Sequence, residues 1–313
     1  MGKASRTKVD SSRREKIAAQ RAAARRAEQR KRILIASGSI LVVVAVVLAF
    51  VLVKANTKTS SGTSQSNGPT GAALTSVVNK VTSVPASTLD TVGSGGGAVN
   101  AKPTAISGPA LTANGKPEML YIGAEYCPYC AAERWGMIVA LSRFGTFSGL
   151  STVRSAAVDG AGHKEPFQNT PTWTFYKSSF SSQYLTFTSV EGQTNIPDKS
   201  SGFYTTLEKP TSAQQALLNK YDAPPNVPAG SQGAIPFIDI GNKYLIAGAS
   251  YDPGVLAGLS WSQIASDLSN PNNPVAKAIG GTANYITAAI CKMTGNQPAS
   301  ACTATVRSLE SKL

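Results

Sequence analysis

The feature that most constrains this chain is a pair of cysteines two residues apart, Cys127-Pro128-Tyr129-Cys130, set where an apolar run gives way to a helical pattern. Before it, Glu118 to Ile122 (EMLYI) follows the turn dipeptide Asn114-Gly115 and reads as a buried strand. After it, the spacing of Trp135, Ile138, Val139 and Ser142 predicts a helix from Pro128 to Phe144 with one face to the interior, ended by Gly145. Thr152 to Asp159 (TVRSAAVD) reads as the next strand, which makes a βαβ unit with parallel strands.

Cys127 at a helix N-terminus would sit beside unpaired N–H groups and the positive end of the helix dipole, an environment that stabilises a thiolate, the nucleophilic form. Pro128 suits the first turn because it has no N–H to satisfy. The spacing lets Cys130 reach Cys127 and resolve a mixed disulfide within the chain. A bare C-x-x-C is also compatible with half a zinc site or an inert disulfide. Zinc would need Cys291 and Cys302 as further ligands, but they are separated by ten residues and the single histidine, His163, lies near neither pair. Neither metal nor cofactor is therefore expected, and His163 reads as a surface loop residue.

The formal charge of +13 would suggest nucleic acid or an acidic surface as partner, yet its distribution argues otherwise. Residues 1–32 hold 12 Lys and Arg against three acids, so +9 of the charge lies in this tail. Next come 21 uncharged residues, Ile33 to Val53, roughly 31 Å of helix at 1.5 Å per residue and enough to cross a bilayer core of about 30 Å. The basic tail and the length of the apolar run favour an uncleaved anchor over a signal peptide, with the N-terminus cytoplasmic and the remainder extracytoplasmic. Membrane lipid is the expected partner of residues 33–53 and of the tail, and nucleic acid is not.

Residues 54–70 are Ser/Thr/Gly-rich and read as a flexible linker. Leu74, Val77, Val78 and Val81 recur at helical spacing up to Pro85, and Gly93 to Gly97 (GSGGG) reads as a mobile connector. Further on, Phe237–Ile240 and Tyr244–Ala247 flank Gly241-Asn242, a hairpin signal entered through Ile235-Pro236. Ser260 to Gln263 forms a possible capping box. The interval 163–228 is too long for a plain connection and is expected to be a structured insertion near the site, with strands over Trp173 to Val190 and a helix over Ser212 to Tyr221. Core packing outweighs a substrate groove as the use of its aromatic residues. Cys291 and Cys302 end one helical pattern and begin another within 274–313, where a structural disulfide would staple a helical hairpin.

The segment Gly123 to Trp135 (GAEYCPYCAAERW) after an apolar strand resembles the active-site segment of the thioredoxin superfamily, and its Pro-Tyr dipeptide resembles that of glutaredoxins. More narrowly it is similar to the signature of an uncharacterised prokaryotic family of membrane-anchored thioredoxin-like proteins, a domain of unknown function. The resemblance covers about Gly71 to the C-terminus. It implies an α/β fold with a thioredoxin-like mixed sheet flanked by helices, a large insertion before the cis-proline hairpin, and an N-terminal transmembrane helix. By position, Cys127 becomes the attacking thiol, Cys130 the resolving thiol and Pro236 the substrate-positioning cis-proline, with Pro128 and Tyr129 supporting the motif. Thioredoxins place a buried Asp in the preceding strand; the matching position here is Tyr121, so proton transfer falls to Glu125 or water. The expected function is membrane-anchored thiol-disulfide exchange with extracytoplasmic protein thiols or disulfides, coupled to an unidentified redox partner. The alternative is a non-catalytic thioredoxin-like binding module in which the 127/130 pair is a structural disulfide.

Overall fold

A computed structural model describes residues 66–313, and the expected tail, membrane anchor and most of the expected linker lie outside these residues. Among the described residues no helix is long and apolar enough to cross a membrane. The fold of the described residues is mixed α/β, with a mixed sheet and seven α-helices.

The described residues open with two short helices, α1 (Gly71–Thr82) and α2 (Ala86–Val92), separated by Pro85 as the sequence pattern requires. The glycine run after α2 is not the mobile connector its composition suggests. Gly95 has φ of +86°, and a Cβ there would come within 2.6 Å of the Lys277 carbonyl oxygen. Glycine is used here because two backbones touch.

The central sheet is built on β3 (Lys116–Gly123), which pairs antiparallel with β11 (Phe237–Ile240) and parallel with β8 (Thr186–Glu191). β12 (Tyr244–Ala247), β1 (Thr104–Ala105) and β2 (Thr112–Ala113) complete it in the order β1-β12-β11-β3-β2. The β11–β12 hairpin has the boundaries its sequence predicts, because Gly241 and Asn242 both adopt the positive φ that its tight turn demands.

The parallel partner of β3 is not the expected strand. Residues 151–154 form β5 (Ser151–Arg154), which pairs antiparallel with β6 (Pro171–Thr174) away from the central sheet. β4 (Gly145–Ser148) pairs with β7 (Ser179–Ser182) in another two-stranded ladder. The chain thus makes this excursion before returning as β8, so part of the interval 163–228 belongs to the central sheet. The reason is local pairing: Ser155 N–H donates to the Thr170 carbonyl and Ala156 N–H to that of Tyr126, which commits the segment after β5 to neighbours outside the sheet. β9 (Gln193–Asp198) and β10 (Phe203–Thr206) form a hairpin past β8, followed by α4 (Ser212–Tyr221), which carries its own capping box.

Alternation along β3 divides the interior. Met119 and Tyr121 face the main core with Trp135, Trp173 and Ile279, whereas Leu120 and Ile122 face a smaller core with Phe237, Leu245 and Tyr221. The main core is formed around α3 (Pro128–Leu141), α5 (Trp261–Asp267, with the Ser260 capping box) and α6 (Pro274–Met293). α3 was expected to bury one face; it is buried on all sides, with Tyr129 its one exposed residue. The reason is packing against several elements at once, since both α6 and β6 lie against it. Gly136 permits this approach, because a Cβ there would stand 2.6 Å from the Thr282 methyl.

Cys291 at the end of α6 is bonded to Cys302, just before α7 (Ala304–Glu310), with Cα atoms 5.7 Å apart. The bridge closes a short loop, and loops of this size contribute about 2 to 3 kcal/mol through restriction of the unfolded chain. Cys291→Ala with Cys302→Ala is therefore expected to lower unfolding free energy in urea by about 2 to 3 kcal/mol while leaving the thiol reactivity of Cys127 unchanged. Loss of that reactivity in a folded double variant would contradict a purely structural bridge.

Candidate functional site

The dithiol lies at the carboxyl end of β3, where the strand turns into α3. Cys127 is the N-cap of that helix, with extended backbone angles, and its Sγ accepts the Cys130 N–H at 3.2 Å. A sulfur here does the work that a Ser or Asp oxygen does at other helix starts, taking up an orphan N–H. Both cysteines are free thiols, Cys127 4% exposed and Cys130 fully buried. Burial pushes the Cys130 thiol well up, the neighbouring Cys127 sulfur adds to this, and the Arg134 guanidinium opposes it.

Opposite the pair stands the loop that enters β11. The Ile235–Pro236 peptide bond is cis, and the Cys127 S–H donates to the Ile235 carbonyl at 3.6 Å, so residues 108 positions apart meet at one sulfur. Pro128 occupies the first turn of α3. Tyr129, 40% exposed, projects at the rim and meets Phe167, 37% exposed, edge-to-face at 6.0 Å. Beside them opens a cavity of about 580 Å³ lined by Tyr129, Phe167, Val227, Ile235, Ala247 and Asp252 among others. On the other side the β9–β10 hairpin shields the dithiol: Tyr204 stacks on Tyr126 at 4.1 Å, Phe203 meets it edge-on at 5.2 Å, and the Tyr204 hydroxyl donates to Glu165 at 2.6 Å. The aromatic residues of this region divide accordingly, with Trp173 and Phe175 in the core and Phe167, Phe203 and Tyr204 around the cysteines.

Glu125 is buried, and its N–H donates to the Gln193 carbonyl at 2.9 Å, which ties the motif to the start of β9. His163 is an exposed loop residue paired with Asp159. The Cys291–Cys302 bond belongs to the α6–α7 corner rather than to this constellation.

Two buried charges of α3 escaped the sequence reading. Arg134 donates from Nε and Nη2 to both oxygens of Glu191, at 2.9 and 2.6 Å, and from Nη2 to the Ala124 carbonyl at 2.7 Å. All of these groups are sealed from water, so the pair persists only because the bidentate geometry and added hydrogen bonds offset desolvation. Glu191 also accepts the Phe175 N–H at 3.1 Å. The preceding residue, Glu133, accepts the Ser250 N–H at 2.7 Å and the Ser250 hydroxyl at 2.9 Å, joining α3 to the loop after β12. A signal was available: Glu133 and Arg134 stand within AAERWGMIVAL, whose other residues leave no polar face to carry them outward.

With this geometry in view, the profile of the family described as Domain of unknown function (DUF929) matches residues 102–292. The chain belongs to that family. The matched span runs from the first strand of the central sheet to the end of α6, and so contains both cysteines of the dithiol, the Ile235-Pro236 loop and the Arg134–Glu191 pair. No curated protein and no solved structure matches the chain.

Burial pushes Glu133 from 4.5 up to about 7, although both Ser250 hydrogen bonds pull the other way. A carboxyl raised in the folded state binds more protons there than in the unfolded chain, so its contribution is complete at acid pH and is lost as pH rises through about 7. Asp222 and Asp239, raised by burial to about 7 and about 6, act in the same direction. Stability in urea is expected to fall between pH 4.5 and 8, and Glu133→Gln is expected to flatten part of that decline. An unchanged slope in the variant would show that Glu133 ionises in the fold without cost.

Proposed function

We propose that this protein is a thiol-disulfide oxidoreductase of thioredoxin-like architecture, tethered to the membrane by residues 33–53 and acting on extracytoplasmic protein thiols or disulfides. The observation that carries this reading is the position of Cys127 Sγ, at a helix N-terminus, 3.6 Å from the Ile235 carbonyl and beside the Cys130 N–H. The order β3, α3, parallel β8, antiparallel β11–β12 supports the superfamily resemblance, as does the approach of the loop entering β11 to Cys127.

In this mechanism Cys127, the cysteine nearer to solvent, attacks a substrate disulfide as the thiolate. The substrate's first sulfur leaves and a mixed disulfide forms at Cys127. Cys130 then attacks the Cys127 sulfur, the bond to substrate breaks, and the second substrate thiol departs; the reverse sequence oxidises a substrate dithiol. The Cys130 N–H at the start of α3 is already directed at the Cys127 sulfur, at 3.2 Å. Glu125, buried two residues before the nucleophile, is assigned to proton transfer. The 580 Å³ cavity beside Tyr129 and Phe167 supports a polypeptide substrate, because its largely apolar walls include Ile235, whose carbonyl meets the Cys127 sulfur.

Mixed-disulfide trapping tests the assignment. In membranes, Cys130→Ala is expected to accumulate covalent adducts with extracytoplasmic proteins that dithiothreitol releases, whereas Cys127→Ser captures none. Equal capture by Cys127→Ser would reverse the two roles, and capture by neither would remove the activity.

A further inference from the structure

A buried tyrosine lies under the resolving cysteine. Tyr121 is fully buried in β3, and its hydroxyl has no hydrogen-bond partner among the described residues. An orphaned hydroxyl in a dry interior is destabilising, and so calls for a reason. Its neighbour along the same face of the strand, Gly123, shows what lies close to the hydroxyl. A Cβ on Gly123 would lie 2.0 Å from the Tyr121 hydroxyl and 3.1 Å from Cys130 Sγ. Oxygen and sulfur therefore flank one point, and their separation cannot exceed the sum of those two distances. Any side chain at 123 would occupy the space that the tyrosine tip uses. The glycine thus allows the ring to lean along the strand toward the sulfur.

The electrostatic surroundings fit a donor. The Arg134 guanidinium lies 5.7 Å from the Tyr121 ring centroid, and its Nη1 has no partner among the described residues. The charged and titratable groups facing Tyr121 are Arg134, Glu191, Cys130 and Cys127. Burial pushes the Tyr121 phenol well up, so it keeps its proton and offers an O–H rather than a phenolate.

We propose that the Tyr121 hydroxyl is the internal hydrogen-bond donor that receives negative charge on the Cys130 sulfur during disulfide exchange, with Arg134 supplying the favourable field. The inference rests on the exchange reading above and deepens it. When Cys130 resolves a mixed disulfide, the Cys127–Cys130 bond forms, the Cys127–substrate bond breaks, and the proton lost by Cys130 ends on the departing substrate thiol. When a substrate thiolate opens the Cys127–Cys130 disulfide instead, Cys130 is the leaving group. Charge passes through the same buried sulfur in both directions, where no water can solvate it. A donor placed there in advance lowers both barriers, as preorganised dipoles do wherever charge develops in a dry site.

The test uses the reduced full chain in detergent and dithiobis(nitrobenzoic acid) as probe, whose aryl thiolate is released twice: once when Cys127 attacks, and again when Cys130 resolves the adduct. Tyr121→Phe keeps the ring that packs edge-on against Phe175 at 5.3 Å and deletes the orphaned oxygen, so it is expected to fold at least as stably. Its first release should match the native rate. Its second should slow about tenfold or more, the value of one hydrogen bond to a charged group, with the pH midpoint of that phase moved upward. Gly123→Ala, which displaces the hydroxyl while retaining it, should slow the second release as well. A second release unchanged in rate and pH profile in either folded variant would overturn the role of Tyr121 and leave the exchange reading standing. Absence of the first release from the native chain would overturn both.

Discussion

The site depends on one buried ion pair. Arg134, one turn past Cys130 on α3, grips both oxygens of Glu191 at the end of β8 and the carbonyl of Ala124 just before the cysteine motif. Glu191 in turn accepts the Phe175 N–H from the segment after β6. Four parts of the chain are thereby fixed relative to one another: the end of β3, the helix that carries the dithiol, its parallel neighbour strand, and the excursion between them. Because neither charge reaches water, removing one partner would leave the other uncompensated in an apolar interior. The geometry at Cys127 is thus held from beneath by an interaction that does not touch the reacting sulfur.

Around that anchor the environments of the two thiols diverge. Cys127 caps a helix and meets the carbonyl of Ile235, a residue that lines the open cavity beside Tyr129. Cys130 is enclosed, with Tyr121 beneath it and Arg134 near by. In the proposed exchange, attack from outside would thereby be directed to Cys127, and charge on the inner sulfur would have to be met by groups already in place. The wall contributed by Tyr126, Tyr204 and Phe203 keeps solvent from the same space on the far side. Desolvation is what makes the few polar groups present effective, since a hydrogen bond or a cation counts for more where the local dielectric is low.

Local signals in the sequence carried well into the fold. The β11–β12 hairpin follows from Gly241-Asn242, α5 from its Ser260 capping box, and the strand-to-helix junction from an apolar run meeting Cys127-Pro128. What eluded sequence reasoning depends on partners far along the chain. β8, TFTSVE, is only partly apolar, and its pairing with β3 joins residues such as Glu118 and Thr186 across a long excursion that no local pattern announces. TVRSAAVD looks more like a core strand but finds its partner in β6. Gly95 reads as slack by composition and proves to be a contact point against α6. In the site, both cysteines and Pro236 were legible because their spacing and neighbours are local. Arg134 with Glu191, and the approach of Tyr121 to Cys130 across Gly123, depend on tertiary packing and were not.

The reduction potential of the Cys127/Cys130 pair, measured by equilibration of the full chain with dithiol buffers, tests the central claim most directly. A working exchange site with one thiol capping a helix and the other supported from within should give a value inside the range of known oxidoreductases, about −120 to −270 mV. A pair that stays oxidised against the strongest biological dithiols, with a potential below about −300 mV, would mark an inert structural bridge and contradict the account.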